Sequence, residues 1–326
     1  MGSTELQARE YYQSGAGQNT VPRHSRLQIP NPVTGYGISA ELGGELGVFF
    51  PSSLVRGFTA FHLARQSAKT HSDPVPSHSD HQGEPVINWI NKSSFEIDGY
   101  RITLDWAAGG SKRASSERNF TMMKGRDFID HYTALENTGI EKVLEVGVYQ
   151  GGSVVFLDRL LRPKKLSAIE LSQEAVPALD TYVQNSGGRV NIYYGTSQDE
   201  SLKINKIIES DFGGEVDFVV DDASHWYEYS KSTFHTVFPR VKPGGYYFIE
   251  DWSWSFQPDF QAPSNGWFNQ NSLANLAIDL MEDMVNSDGI ESIEISRQVI
   301  KVKRSNAPGR SPFATTARRS RQMNLL

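Results

Sequence analysis

Between residues 142 and 252 the chain alternates unbroken apolar runs with longer stretches whose apolar positions recur every three or four residues. The runs are KVLEVGV (142–148), KLSAIEL (165–171), VNIYYG (190–195), VDFVVDD (216–222) and GGYYFIEDW (244–252). Strands covered on both faces read this way, and GGSVVFLDRLL, AVPALDTYVQ, SLKINKIIES and YSKSTFHTVFPRV between them read as crossover helices. Repeated strand–helix units of this kind predict an α/β fold with a doubly wound, mostly parallel sheet. A helix at 270–286 precedes SIEISRQVIKVKR, two short strands expected to form a hairpin at the sheet edge, which brings the expected sheet to seven strands.

The pattern before residue 142 is different. FEIDGYRITLDW (95–106) alternates Phe95, Ile97, Tyr100, Ile102 and Leu104 around Asp98-Gly99, a dipeptide suited to a two-residue hairpin turn. NFTMMKGRDFIDHYTALENTG (119–139) spaces Phe128, Tyr132 and Leu135 helically and ends at Gly139. LGVFFPSSLVRGFTAFHLARQ (47–67) is apolar enough for a short packed helix. The linker-like stretch 67–85 holds His71, His78 and His81, which receive no role. The expected organisation is a flexible arm (1–36), an auxiliary region with a β-hairpin (37–118), the main domain (119–305) and a basic tail (306–326).

Composition narrows the class. The chain has 326 residues, 38% of them hydrophobic, enough for a real core. A net charge of -6 argues against a general nucleic-acid binder. The absence of cysteine excludes disulfides, thiolate metal sites and cysteine nucleophiles. Without a signal-like segment or a long apolar span, a cytoplasmic protein off the membrane is expected. Residues 301–326 carry seven Lys or Arg and no acid, a solvated end whose weaker alternative reading is a dock for an acidic carrier or partner protein. A homo-oligomer is left open.

The chemistry starts at LEVGVYQGGS, which sets Glu145, Gly147, Gly151 and Gly152 across a strand-to-helix turn. Glycines there allow close backbone approach by a ligand, and the next helix offers free N–H groups and its positive dipole end. Glu170 ends the following strand, where an acid can accept hydrogen bonds from ribose hydroxyls. There is no P-loop lysine and no three-glycine dinucleotide fingerprint; a purely structural glycine turn is the alternative. A second concentration of polar residues lies at two strand ends: Asp221 and Asp222 with His225 after one, Glu250 and Asp251 after the other. These strands are expected side by side, so four carboxylates converge, a set suited to a hard cation such as Mg²⁺ or, alternatively, to helix caps and pairing with Lys231, Arg240 or Lys242. An alcohol near pKa 15.7 lies about 12 kcal/mol beyond what an ordinary histidine can deprotonate, so His225 as a base needs help of the kind a metal gives.

The glycine turn resembles motif I of the class I S-adenosylmethionine-dependent methyltransferases, which implies the Rossmann-like methyltransferase fold. GVYQGGS, DDASH and VKPGGYYFIEDW together are similar to the Mg²⁺-dependent O-methyltransferases of macrolide sugars, of the mycinamicin type, and to the cephalosporin hydroxylase group, over roughly residues 140–256. The resemblance implies S-adenosylmethionine and Mg²⁺ as cofactors and a small-molecule hydroxyl acceptor. By position it makes Asp222, Glu250 and Asp251 metal ligands and His225 the proton acceptor. It places Glu145, Gly147, Tyr149, Gly151, Ser153, Glu170, Ser197, Gln198 and Asp222 around the methyl donor, with GTSQD (195–199) at the adenine. Trp252, Trp254, Phe256 and Phe260 are expected as an apolar wall for the acceptor or as ordinary packing. The competing readings are a metal-assisted hydroxylase or hydrolase on the same fold and a non-catalytic nucleoside-binding scaffold.

Overall fold

The computed structural model describes residues 87–105 and 114–307. The expected N-terminal arm, the helix at 47–67, the histidine-bearing linker and the tail beyond Ala307 lie outside the described residues. The described residues belong to one compact unit of the chain.

The apolar runs are the strands of a seven-stranded sheet: β5 (Lys142–Val146), β6 (Lys165–Glu170), β7 (Val190–Tyr194), β8 (Val216–Asp221), β9 (Val241–Glu250), β10 (Ile290–Ile295) and β11 (Val299–Arg304). Their order is β10-β11-β9-β8-β5-β6-β7. The strands β5 to β9 pair in parallel, while β11 runs antiparallel to both β9 and β10, making the expected edge hairpin. The doubly wound, mostly parallel α/β sheet predicted from the sequence is therefore observed. The first strand of the series, β5, lies between β6 and β8, so the chain reverses its direction of travel across the sheet there. That topological switch point opens a crevice beyond the carboxyl ends of β5 and β8.

The parallel strands lack polar alternation because both faces are buried. Val143, Leu166, Ala168, Phe218, Val220 and Phe248 share one core with α2 (Gly152–Leu161) and α3 (Pro177–Asn185). Leu144, Val146, Ile169, Val219 and Ile249 point into the other, with α4 (Ser201–Phe212), α5 (Tyr227–Val237) and α6 (Ala274–Asn286). Neighbouring residues of a strand enter opposite cores, as the two-residue side-chain period requires.

A second sheet orders β1 (Asn88–Asn91), β2 (Ser94–Ile97), β3 (Tyr100–Leu104) and β4 (Asn119–Met122). The β2–β3 hairpin turns at Asp98-Gly99, with φ of 46° and 78°, as the sequence predicts. The segment from 119 departs from its helical reading. Asn119–Met122 is extended and parallel to β3, burying Phe120 and Met122 on alternate positions, and the helix α1 starts only at Arg126 (Arg126–Thr133). Phe95, Ile97, Ile102 and Phe120 pack into the same core as α2, with the rings of Phe95 and Phe156 5.5 Å apart. At this seam a Cβ on Gly152 would come within 2.4 Å of the Thr121 carbonyl oxygen.

That contact sets a test of the seam. Gly152→Ala, at a helical backbone position with no space for a methyl group, is expected to lower the unfolding free energy by about 1–3 kcal/mol, measured by urea denaturation. A variant as stable as the parent would show that the small sheet is not seated there.

Candidate active site

The glycine turn after β5 is built by close packing. Gly147, at φ 96°, lies where a Cβ would come within 2.1 Å of the Asp222 carbonyl oxygen. A Cβ on Gly151, at φ 78°, would come within 2.9 Å of the Leu179 side chain. The backbone crossing is fixed by Asp222 N–H donating to the Val146 carbonyl at 2.8 Å and Gly147 N–H to that of Ile169 at 2.9 Å. Gly147 thus lets the turn close against the end of β8, so the Asp222 backbone sits against the start of the turn. Tyr149 completes the turn at φ 53°, and its N–H and that of Val148 donate to Glu170 Oε2 at 3.2 and 3.0 Å. Glu170 Oε1 accepts the Ser172 N–H at 2.8 Å, so this carboxylate clasps the loop it was expected to share with a ribose.

Glu145, the acid of the turn, is fully buried, and neither carboxylate oxygen has a hydrogen-bond partner among the described residues. Burial pushes its pKa up to about 8, against the pull of the nearby Ser153 hydroxyl and the Lys124 ammonium. Ser153 itself is buried in the first turn of α2. Gln198 spends its amide on protein: Nε2 donates to Asp221 Oδ1 at 2.8 Å, and Oε1 accepts the Ser224 N–H at 3.1 Å. Ser197 is half-buried, its N–H held by Glu200 at 2.7 Å. Asp221, also bonded by the Tyr247 hydroxyl at 3.1 Å, is pushed up to about 8 by burial. It is a buried anchor beneath the site.

At the ends of β8 and β9 the structure brings Asp222, His225 and Asp251 together. Each offers a ligand atom within 4.8 Å of the other two. His225 Nε2 is 3.8 Å from Asp222 Oδ1 and 4.0 Å from Asp251 Oδ2. Both His225 and Asp251 adopt left-handed backbone, with φ of 56° and 50°. Trp254 Nε1 donates to the His225 carbonyl at 2.8 Å, and the Asp251 N–H donates to the Gln298 carbonyl at 2.8 Å. The loop after β9 and the β10–β11 turn thus aim both side chains. Burial draws the Asp251 carboxyl above its ordinary range, opposed by His225.

Glu250 stands apart from that triad. It is buried, its Oε2 contacts Lys124 Nζ, and its Oε1 has no partner. Lys124, in the loop between β4 and α1, is only 2% exposed and also donates to Asp222 Oδ2 at 2.5 Å. Burial opposes its charge, yet Asp222 and Glu250 outweigh that and hold the ammonium firmly protonated. Burial pushes Glu250 up to about 7 against the same ammonium. Sequence reading missed Lys124: it lies 98 residues from Asp222 and 126 from Glu250, so no spacing joins them.

The aromatic residues after β9 form a cluster beside His225. The Trp254 ring lies 5.5 Å from Phe260 and 5.1 Å from Trp267, and Trp267 is 6.4 Å from the His225 ring. Trp252 packs on Phe256 at 5.8 Å, and Phe256 is largely exposed. Trp267 was not anticipated from the sequence, because it sits in the irregular stretch between β9 and α6.

Two groups fit the donor sets. Glu145, with two unpartnered buried oxygens at the head of α2, suits an ammonium-bearing ligand whose carboxylate meets the helix N-terminus. The Asp222 and Asp251 carboxylates of the triad, with the unpartnered Glu250 Oε1 nearby, suit a hard divalent ion, and His225 Nε2 stands beside them as a proton acceptor.

Residues 144–252 match the family model described as "Methyltransferase domain". This segment, a third of the chain, is thus similar to methyltransferase domains. The resemblance read from its motifs holds across it. Among curated proteins, demethylmacrocin O-methyltransferase of Streptomyces fradiae is 44% identical over 52 residues, 16% of this chain and 13% of that protein. A rhamnosyl tetracenomycin-C 2'-O-methyltransferase of Streptomyces olivaceus is 46% identical over 48 residues, 15% of this chain and 13% of that protein. L-olivosyl-oleandolide 3-O-methyltransferase of Streptomyces antibioticus is 25% identical over 134 residues, 41% of this chain and 33% of that protein. The chain therefore spans from about an eighth to a third of the length of these relatives. Among solved structures, MycE methyltransferase from the mycinamycin biosynthetic pathway, in complex with Mg, SAH and mycinamycin VI, aligns with TM-score 0.42 at 21% identity, covering 56% of this chain and 49% of that one. No helix among the described residues is long and apolar enough to cross a membrane.

The buried acid of the turn sets a pH dependence. Glu145 titrates higher in the folded chain than the ordinary 4.5, so the stability it contributes is full below about 4.5 and is lost as pH rises toward 8. Unfolding of the ligand-free protein between pH 5 and 8 should show a fall in stability on the order of a few kcal/mol that Glu145→Gln flattens. Parallel curves for the two proteins would place Glu145 in a solvated setting.

Proposed function

We propose that this chain is an S-adenosylmethionine-dependent, divalent-ion-dependent O-methyltransferase that methylates a hydroxyl of a secondary metabolite, a deoxysugar of a glycosylated natural product. The observation that carries this reading is the juxtaposition of the Asp222, His225 and Asp251 triad with the unpartnered Glu145 carboxylate at the glycine turn. The names of the matched relatives support the substrate class, since two of them describe O-methyltransferases of a rhamnosyl tetracenomycin-C and an L-olivosyl-oleandolide.

Glu145, the head of α2 and the Glu170-clasped loop would hold the methyl donor. Asp222 and Asp251, with Glu250 behind them, would hold Mg²⁺. When bound, these groups supply an electrophilic methyl sulfonium and a charge that favours ionisation of a hydroxyl. His225 Nε2 would accept the proton that the acceptor hydroxyl gives up as it is methylated. Its position does not depend on a flexible tether, because Trp254 fixes the backbone carbonyl and Trp267 flanks the ring. Trp254, Phe260 and Trp267 form an apolar wall on which the non-reacting body of a bulky acceptor can lie.

Incubation with methyl-labelled donor, Mg²⁺ and a desmethyl macrolide glycoside is expected to transfer label to the sugar. His225→Ala should lower kcat by about 10²- to 10⁴-fold while calorimetry shows donor binding retained. EDTA should abolish turnover and added Mg²⁺ restore it. Full turnover in EDTA would remove the metal from the mechanism, and oxygen consumption without label transfer would replace methylation by hydroxylation.

A further inference from the structure

The same two carboxylates that the motif pattern assigns to a metal already hold a cation belonging to the chain. Lys124 Nζ contacts Glu250 Oε2 and lies 2.5 Å from Asp222 Oδ2. The contact is deeply enclosed, with Lys124 2% and Glu250 1% exposed, and the ammonium also sits over the rings of Phe128 and Tyr132 at 5.5 and 5.9 Å. This is not a surface lysine settling on the nearest acid, because the whole residue is buried and its head lies among two carboxylates and two rings of α1.

An ammonium at hydrogen-bonding distance and a divalent ion cannot both use Asp222 Oδ2 and Glu250 Oε2. Mg²⁺ binds carboxylate oxygens at about 2.1 Å in a near-octahedral shell, and a second positive charge a few ångströms away repels it in a medium of low polarity. Asp222 divides between the two demands: Oδ2 faces Lys124, while Oδ1 faces His225 and the Asp251 side. Resting on the divalent site proposed above, we infer that Lys124 is a resident counter-cation that competes with the divalent ion for Asp222 and Glu250. It neutralises the buried acids when no metal is bound, and a metal that takes the same carboxylates meets its repulsion or displaces it. Metal affinity and metal-free stability are then set against each other through one side chain.

A lysine that merely positioned its carboxylates for the metal would act the other way, since removing it would disorder the ligands and weaken binding. The test is Mn²⁺ binding, read by electron paramagnetic resonance and calorimetry, to the full chain and to Lys124→Met and Lys124→Arg. Competition predicts that Lys124→Met binds Mn²⁺ at least tenfold more tightly than the parent. It also predicts a Tm in EDTA lower by roughly 5 °C or more, recovered on adding Mn²⁺, while Lys124→Arg keeps the charge and stays close to the parent affinity. Lys124→Gln, which keeps hydrogen bonds without the charge, takes the place of Lys124→Met if the latter does not fold. Unchanged or weaker Mn²⁺ binding by the neutral variants, with the parent binding normally, would overturn the competition and leave the divalent site standing. Failure of every protein to bind Mn²⁺ would overturn both.

Discussion

Carboxylates gathered at the tips of adjacent buried strands repel one another, and the surroundings of Asp222, Glu250 and Asp251 are organised by that repulsion. Two like charges 4 Å apart in a partly polar interior cost about 4 kcal/mol, and burying each one adds a further penalty. The parallel pairing of β8 with β9 puts Asp221 opposite Ile249 in register, so the acids that follow each strand cannot separate without breaking the sheet. The chain answers in three ways. Asp221 receives neutral hydrogen bonds from Gln198 and Tyr247, Glu250 shares Lys124 with Asp222, and Asp251 turns away through a left-handed residue toward His225.

The glycine turn obeys a related constraint. Its spacing invites a reading in terms of ligand approach, yet the space beside Gly147, Gly151 and Gly152 is filled from the protein side, by the Asp222 backbone, the Leu179 side chain, and the Thr121 carbonyl with Met122 Cβ. Their absence of side chains draws three separate elements onto β5: the tip of β8, helix α3 and the small sheet. In the reading proposed above, ligand contact would fall to Glu145 and to the start of α2, where Gly151 as N-cap provides no side chain to occupy the helix N–H groups.

Much of this was legible in the sequence, for identifiable reasons. Buried parallel strands announce themselves as apolar runs because neither face meets water, and the Asp98-Gly99 turn is dictated by positive φ. The acids after β8 and β9 could be paired in advance because consecutive units of a doubly wound sheet tend to be neighbours. What stayed hidden depended on the third dimension. Asn119–Met122 is too short for its two-residue alternation to stand out against the helix that follows. Lys124 carries no local mark, since a lysine before a glycine in a loop is ordinary until the fold closes it over Asp222 and Glu250. Trp267 lies in an irregular stretch without periodicity, so its place beside His225 follows only from the path of the chain between β9 and α6.

The backbone at the crevice points the same way as the charges. Tyr149, His225 and Asp251 follow β5, β8 and β9 and all hold positive φ. Histidine and aspartate tolerate this region better than most residues, but for a side chain the left-handed state still costs about 1–2 kcal/mol. Each is restrained by a bond from elsewhere: Glu170 accepts the Tyr149 N–H, the Trp254 indole reaches the His225 carbonyl, and the Gln298 carbonyl receives the Asp251 N–H. Packing alone does not require a chain to leave three successive strand ends in that conformation. The site proposed above would, because its base and its ligand-bearing carboxylate would then be oriented during folding and not at each turnover.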